Sequence, residues 1–263
     1  MNKNAIKILA VGDVVGECGT AYIKENLWRI RRDHNIDMTV LNGENAAVSN
    51  GIDPETAETL FASGADVITS GNHIWQKKSV YGYIENTPNL LRPVNYPPSC
   101  PGSGYTVFDC NGYKVLCISV LGTVYLDSLE SPFVAVERVL ERENGEFDFA
   151  VCDIHAEATS EKIAFGYNFD GRISAIFGTH THVQTADNHI LPGGTGYITD
   201  LGMTGPSLSV IGMKTENVLT RFVSKMPARY EEGEGNPMFN ACIFSVETAS
   251  GNFRTVETQR LYF

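Results

Sequence analysis

The sequence KILAVGD, residues 7–13, is a short apolar run that ends in a glycine and an aspartate. Such a run is typical of a buried strand whose end turns sharply into a loop. Residues 19–34 follow, with Tyr22, Leu27 and Ile30 roughly on one helical face, and residues 38–41 form the next apolar run. This strand–helix–strand order predicts an α/β layered fold built around extensive sheet.

The same alternation continues along the chain. Further helices are predicted at residues 54–63, 77–85, 132–143 and 159–169, and further strands at 66–69, 114–121, 147–154, 173–177 and 196–199. Proline and glycine make residues 86–104 irregular and residues 201–206 a flexible loop. Residues 213–235 are expected to be helical and then acidic, with a solvated turn at 231–234, before a terminal strand pair at 240–246 and 253–261. With no repeat or long linker, we predict one domain, residues 1–263.

Length and composition limit the function classes. The chain has 263 residues, 43% of them hydrophobic, which is enough for a substantial core. No apolar run approaches the ~18 residues that a membrane helix needs. With 20 basic and 31 acidic residues the net charge is -11, so duplex nucleic acid is not an expected partner. An acidic protein still binds phosphate where metal ions reverse the local charge.

The N-terminal stretch and the cysteines indicate in which cellular compartment the protein is expected. The apolar stretch after Lys7 is short and runs into Gly12 without a cleavage site, so it does not resemble a secretory signal. The six cysteines are scattered, and no two have C-x-x-C spacing. Reduced thiols and a cytoplasmic location are therefore expected.

Side chains that can bind metals follow five of the predicted strands. The strands end, in order, at Asp13, at Glu44-Asn45, at Asn72-His73, at His155, and at His180-Thr181-His182. In α/β sheets, ligands bind beyond the carboxyl ends of the strands, so these groups are expected to converge on one edge. Neighbouring glycines allow the sharp backbone turns that this convergence needs.

Histidine placement strengthens this prediction. Four of the six histidines lie at these strand ends. A lone histidine there would more often be a hydrogen-bonded core or surface residue, but four beside carboxylates and amides favour a metal site. Mixed nitrogen and oxygen ligands suit iron, manganese or zinc rather than a thiolate zinc site or a calcium cage. So many candidates fit two ions that share a bridging carboxylate better than one tetrahedral ion.

These motifs resemble those of the calcineurin-like metallophosphoesterases, and more closely those of the bacterial YmdB-like branch. The matching strings are GDVVG at 12–16, NGENAA at 42–47, TSGNHIW at 69–75, LRPVNYPP at 91–98, HAEATSEK at 155–162 and the run 178–206. The similarity extends over nearly the whole chain and weakens in the middle and after residue 214.

The resemblance implies a fold, a cofactor and an activity. The fold is a sandwich of two mixed β-sheets flanked by helices, and the activity is that of a phosphodiesterase acting on cyclic nucleotides with two metal ions. Iron is the first expectation for these ions, with manganese or zinc as alternatives. By position, the first ion is held by Asp13, Asn45 and His182, and the second by Asn72, His155 and His180. Glu44 then bridges the ions, and His73 is the general acid.

Three positions depart from the wider superfamily but agree with the YmdB-like branch. Val15 stands where many members have histidine, Glu44-Asn45 replaces an aspartate motif, and Ile74 replaces a carboxylate. The substrate range of protein phosphatases or nucleotidases therefore does not transfer to this chain.

The functional hypothesis is a dinuclear, metal-dependent phosphodiesterase for a cyclic nucleotide or another small phosphodiester. A hydroxide bridging the ions attacks phosphorus, and His73 protonates the leaving oxygen. The alternatives are a phosphomonoesterase and a non-catalytic, metal-binding regulatory scaffold. The native metal, the physiological substrate and any homo-oligomer stay open.

Three further residues have two interpretations each. His73 either donates a proton or only orients Asn72. Asp153 is either an acceptor for a metal-bound histidine or a core or capping carboxylate. Arg92 either contacts a phosphate or, as is more common for an arginine, lies at the surface or in an ion pair.

Overall fold

The computed structural model describes residues 4–263, so the first three residues of the predicted domain lie outside the described part. Its helices are α1 (Gly16–His34), α2 (Pro54–Ala62), α3 (Val80–Ile84), α4 (Pro132–Arg142), α5 (Thr159–Asn168) and α6 (Thr215–Ser224). Its strands are β1 (Ala5–Val11), β2 (Asp13–Val14), β3 (Met38–Asn42), β4 (Val67–Thr69), β5 (Tyr105–Cys110), β6 (Tyr113–Leu121), β7 (Phe149–His155), β8 (Ala175–Thr179), β9 (His189–Ile190), β10 (Gly196–Ile198), β11 (Met203–Met213), β12 (Glu232–Met238), β13 (Asn240–Glu247) and β14 (Thr255–Tyr262).

Two large mixed sheets form the centre of the fold. One has the order β14-β13-β1-β3-β4, in which β1, β3 and β4 are parallel and β13 is antiparallel to both neighbours. The other has the order β5-β6-β7-β8-β10-β9, with β6, β7, β8 and β10 parallel. The predicted α/β fold class is confirmed.

The alternation of side chains along β1 shows how the layers stack. Ile8 and Ala10 face the second sheet, in a cluster that includes Phe177 of β8. Leu9 and Val11 point the other way, into a cluster with the helices α1 and α2. Because successive residues of a strand face opposite sides, a strand buried on both faces reads as a continuous apolar run. A third cluster lies between the second sheet and the helices α4 and α5, so the order of layers is helix, sheet, sheet, helix.

The start of α2 shows how local sequence sets an element boundary. Asp53 precedes the helix in an extended conformation, and its side chain accepts a hydrogen bond of 2.9 Å from the Thr56 N–H. Pro54 then occupies the first turn, where a missing N–H costs nothing. Both features are visible in the sequence, which is why this start was predictable.

A third, smaller sheet was not predicted. It has the order β12-β11-β2, and Met203 of β11 pairs in parallel with Asp13. The prediction of a flexible loop at residues 201–206 was wrong, since these residues are buried and β11 begins among them. Glycine and proline in this stretch are loop signals by themselves, but pairing with distant strands overrides them. The strand β5 was also missed.

The acidic run at residues 231–234 is not a solvated turn, because β12 begins at Glu232. The Glu232 carboxylate accepts hydrogen bonds from the backbone N–H groups of Glu17 at 3.1 Å and Cys18 at 2.9 Å. These groups belong to the first turn of α1, whose preceding residue, Val15, supplies no side-chain acceptor. Gly16 has a φ of 60°, and a Cβ atom there would lie 2.3 Å from this carboxylate, so another residue would strain the backbone and displace Glu232. Glu232 therefore caps α1 from a distant strand.

Replacing Glu232 with alanine is expected to lower the free energy of unfolding by about 1 kcal/mol, the usual effect of losing an N-terminal cap. Urea denaturation measures the change. Glu234→Ala is the control, because Glu234 is 79% exposed and contacts Lys214 at 3.7 Å instead of the helix. An equal loss in both variants would show that the negative charge of the segment matters, and the cap does not.

The cysteines and helices bear on the predicted compartment. All six cysteines are free. None of the helices within residues 4–263 combines the length and the apolarity that crossing a bilayer requires. The cytoplasmic location stays a prediction.

Candidate metal centre

The carboxyl ends of strands from both large sheets meet at one place. Glu44 follows β3 of the first sheet, and His155 ends β7 of the second, yet Glu44 Oε1 lies 3.1 Å from His155 Nε2. Both side chains are buried. The convergence predicted from the strand ends is therefore present in the fold.

His155 Nε2 is the centre of one half of the cluster. Besides Glu44, it lies 3.2 Å from Asn72 Oδ1 and 3.1 Å from His180 Nδ1. The groups that can hold a metal include Glu44, His155 and His180, whose ligand atoms all lie within 4.8 Å of one another.

The partners of the other His155 nitrogen fix its tautomer. Thr179 Oγ1 donates its single proton to Asp153 Oδ1 at 2.6 Å, so it accepts from His155 Nδ1 at 2.8 Å. With the proton on Nδ1, neutral His155 turns a lone pair on Nε2 toward the oxygens of Glu44 and Asn72. Of the two interpretations of Asp153, the geometry supports the acceptor, acting through the Thr179 hydroxyl.

Electrostatics favour a positive charge at this point. Burial alone would lower the pKa of His155, but the carboxylates of Glu44 and Asp13 raise it to about 9. Burial, with the charge of His155, lowers the pKa of His180 to about 3, which keeps that ring neutral. The charged form of His155 carries a proton on Nε2, and a metal ion that replaced this proton would face lone pairs of His155, Glu44 and Asn72, so these residues fit a metal ion.

Asp13, Asn45 and His182 form the other half of the cluster. Asp13 is fully buried; Oδ2 accepts a hydrogen bond from the His180 N–H at 3.1 Å, whereas Oδ1 has no hydrogen-bond partner within residues 4–263. That oxygen lies 4.0 Å from His182 Nε2. The Nδ1 of His182 donates to the Ile211 carbonyl at 2.9 Å, so the lone pair of the neutral ring is on Nε2, 3.2 Å from Asn45 Nδ2. A buried carboxylate oxygen without a donor is costly, and a cation removes the cost.

Glu44 lies between the two halves. Its Oε1 is near His155, and it also accepts from Asn45 Nδ2 at 3.1 Å; its Oε2 accepts from the His73 N–H at 3.1 Å. Burial alone would raise the pKa of Glu44, but His155 and His73 hold it well below its usual range. An ionised carboxylate with contacts to both halves is suited to bridge two ions.

His73 lies at the open side of the cluster. Its Nδ1 contacts Asn45 Oδ1 at 2.8 Å, and its side chain is 28% exposed. Its Nε2 makes no hydrogen bond within the described part of the chain. The imidazole is therefore held in one orientation with a nitrogen left for another molecule.

The backbone around the cluster is tightly constrained. A Cβ atom at Gly71 would lie 2.3 Å from the His155 ring and 2.4 Å from Glu44, so only glycine allows this approach. His180 and His182 have φ angles of 99° and 65°, which are positive values that residues other than glycine rarely adopt. Strain of this kind is retained where the surroundings hold it in place.

The structure therefore brings all the predicted site residues together. They are Asp13, Glu44, Asn45, Asn72, His73, His155, His180 and His182, each within 4.0 Å of another member. Their roles as metal ligands and as general acid stay predictions.

Comparison with known proteins gives the family. A family model described as YmdB-like protein matches residues 9–259. The chain belongs to the YmdB-like family. A 2',3'-cyclic-nucleotide 2'-phosphodiesterase of Bacillus subtilis is 42% identical over 242 residues, which cover 92% of each chain. The resemblance found in the motifs is confirmed.

Solved structures resemble this YmdB-like chain over almost its whole length. A hypothetical protein from Thermus thermophilus has a TM-score of 0.91 and 38% identity, covering 98% of this chain and 99% of the other. A novel phosphatase from Mycoplasma pneumoniae has a TM-score of 0.93 and 33% identity, covering 100% and 94%. The sandwich fold is thus shared with a protein described as a phosphatase.

A buried ion pair that the sequence did not predict lies beside the site of this YmdB-like chain. Lys162 of α5 is fully buried, and its Nζ lies 2.6 Å from Asp200 Oδ2. The same oxygen accepts hydrogen bonds from the Thr181 N–H at 3.2 Å and the Thr181 hydroxyl at 2.8 Å. Thr181 stands between His180 and His182, so the pair fixes the strained loop that carries both histidines. Nothing in the sequence near Lys162 distinguishes it from a solvated helix lysine.

Proposed function

We propose that this chain is a dinuclear, metal-dependent phosphodiesterase that acts on 2',3'-cyclic nucleotides or related small phosphodiesters. The observation that carries the proposal is the set of lone pairs facing one another around Glu44 and His155, deep in the protein and at the ends of strands from two sheets. The Bacillus subtilis relative, named as a phosphodiesterase for such nucleotides, supports the substrate class.

The two halves of the cluster correspond to two ions. Asn72, His155 and His180 would hold one, Asp13, Asn45 and His182 would hold the other, and Glu44 would bridge them. Nitrogen and oxygen donors without thiolates suit iron, with manganese or zinc as alternatives. When bound, such ions supply an activated nucleophile and neutralise charge on the phosphate oxygens.

His73 would protonate the departing alkoxide oxygen, which then leaves as the alcohol. Asn45 holds its Nδ1 at 2.8 Å, which turns the ring so that Nε2 is available at the exposed side. A proton donor in this place needs access to substrate and a fixed orientation, and His73 has both. The contact of its backbone N–H with Glu44 further fixes its position beside the proposed bridge.

His73→Ala tests this role. For diesters whose leaving alkoxide is strongly basic, we expect turnover to fall by about 10²–10⁴-fold, the range typical of general acid catalysis. For a p-nitrophenolate leaving group the loss should be far smaller, because that group departs without a proton. Turnover measured over a series of leaving groups checks the trend. His34→Ala, a change at the far end of α1, is the control; an equal loss for every leaving group would exclude the general acid.

A phosphomonoesterase is the second candidate, because the Mycoplasma pneumoniae neighbour is described as a phosphatase. Hydrolysis of bis(p-nitrophenyl) phosphate and of p-nitrophenyl phosphate by metal-loaded protein separates the two. We expect faster turnover of the diester. No hydrolysis of either compound would favour the regulatory scaffold.

A further inference from the structure

A cavity lies outside the metal cluster. Its volume is about 710 Å³, and it lies among the irregular segment 92–105, residues 128–130 and the helix α4. The residues that line it include Arg92, Tyr96, Ser103, Arg138 and Arg142, and none of the proposed metal ligands. Pockets for small molecules have volumes of ~300–1,000 Å³, so this cavity is large enough for a nucleotide.

Arg92 is the notable member of the lining. The residue is 7% exposed, and its Nε and Nη1 donate to the backbone carbonyls of Pro101 at 3.2 Å and Pro93 at 2.9 Å. Within residues 4–263, no carboxylate oxygen lies within 4.0 Å of its guanidinium nitrogens. The two carbonyls accept hydrogen bonds but carry no net charge, so no carboxylate neutralises the buried guanidinium. A buried charge of this kind is stabilised when an anion accompanies it.

Two further arginines line the cavity, and each of them contacts a glutamate. Arg138 donates two hydrogen bonds to Glu130, at 2.8 and 2.7 Å, and Arg142 lies 3.6 Å from Glu143. Three arginines and one carboxylate therefore line the cavity of a chain whose net charge is -11. A concave basic surface on an acidic protein concentrates anions locally.

Tyr96 adds a neutral donor and relates the cavity to the metal cluster. Its hydroxyl makes no hydrogen bond in the described part of the chain, and burial, with the nearby charges of Asp127 and Glu44, raises its pKa to about 12. Its ring packs edge-on against Trp75 with 5.7 Å between the ring centres. Trp75 follows His73 by two residues, so the wall of the cavity adjoins the segment that carries the proposed general acid.

We propose that this cavity binds a phosphate group, with the buried guanidinium of Arg92 as its main partner and Arg142 at its exposed side. The planar guanidinium presents several N–H donors to phosphate oxygens, and hydrogen bonds between charged groups are the strong ones. The phosphate belongs either to a nucleotide or to free inorganic phosphate. The site does not depend on the proposed function, since none of its residues belongs to the metal cluster.

Calorimetric titration tests the site. Inorganic phosphate and a nucleoside 5'-monophosphate are titrated separately into metal-loaded and chelator-stripped wild-type protein, and into Arg92→Gln and Arg142→Gln. We expect one class of binding that persists without metal and weakens by about 10- to 100-fold in Arg92→Gln, the loss of a hydrogen bond to a charged group. Arg142→Gln should weaken it by a smaller factor. Arg172→Gln is the control, because Arg172 pairs with Glu137 outside the cavity.

The outcomes separate the two proposals. Tighter binding of the nucleotide assigns the cavity to nucleotides, and equal binding assigns it to the phosphate ion. Should circular dichroism show Arg92→Gln or the stripped protein to be unfolded, Arg142→Gln in loaded protein decides. Binding unchanged by every folded cavity variant, or no binding without metal in folded wild type, overturns the phosphate site. If loaded protein shows no additional class of phosphate binding beyond the one that persists in stripped protein, this would count against the metal centre and leave the cavity site intact.

Discussion

Glu44→Gln is expected to reduce phosphodiester hydrolysis by more than about 100-fold. Loss of a residue that merely orients a ligand costs ~10–100-fold in metal affinity or activity, and Glu44 is the proposed bridge itself. The substitution keeps the shape of the side chain but removes the negative charge that raises the pKa of His155. The amide would also place an N–H group against one of the two groups, the Asn45 amide or the His73 backbone N–H, that now donate to the carboxylate.

Two measurements separate this effect from a general loss of folding. Metal content, determined by elemental analysis, should fall together with turnover, whereas the far-ultraviolet circular dichroism spectrum should not change. Glu25→Gln removes the same charge from an exposed position on α1 and should leave both quantities unchanged. Full turnover and full metal content in Glu44→Gln would exclude the bridging role.

Lys162→Met is expected to lower the free energy of unfolding by about 3–5 kcal/mol, as breaking a buried ion pair does. The change leaves the Asp200 carboxylate buried, 1% exposed, without its cation. Asp200 keeps its hydrogen bonds from Thr181 and Gly202, but none of those groups carries a charge. Because Thr181 is bonded to this carboxylate, metal affinity should fall as well.

Denaturation with urea measures the loss of stability, and metal titration measures the loss of affinity. Arg172→Met is the matched control, since it breaks a pair with Glu137 in which both side chains are substantially exposed, 44% and 38%. Exposed pairs contribute ~0–1 kcal/mol. If Lys162→Met lost no more stability and no more metal affinity than this control, the buried pair would not fix the loop that carries His180 and His182.

The candidate site was predictable because its residues follow a rule that is local in sequence. Asp13, Glu44, Asn72, His155 and His180 each come within three residues of the end of an apolar run, and parallel strands place such ends at a common edge. The apolar runs themselves are unusually clear, since strands between two packed layers are buried on both faces. Periodicity and position were therefore enough for most strands of the two large sheets and for the strand-end residues of the cluster.

What the sequence did not reveal depends on contacts between distant parts of the chain. Glu232 caps a helix that begins 216 positions earlier, at Gly16, and its local setting among other glutamates resembles a solvated turn. The same is true of β11, whose glycines and proline are loop signals until β2 and β12 pair with it. Nothing in the sequence around Lys162 and Arg92 marks them as buried, and both are buried only because distant segments pack around them. Long-range burial, and not residue type, defines all of these features.

The metal centre itself can be observed directly. Crystals grown with Mn²⁺ and measured near the manganese absorption edge should show two anomalous difference peaks about 3.5–4 Å apart, the usual spacing of such ion pairs. We expect one peak beside Asn72, His155 and His180, the other beside Asp13, Asn45 and His182, and the Glu44 carboxylate between them. Peaks elsewhere on the protein, or none in the presence of saturating metal, would contradict the dinuclear centre.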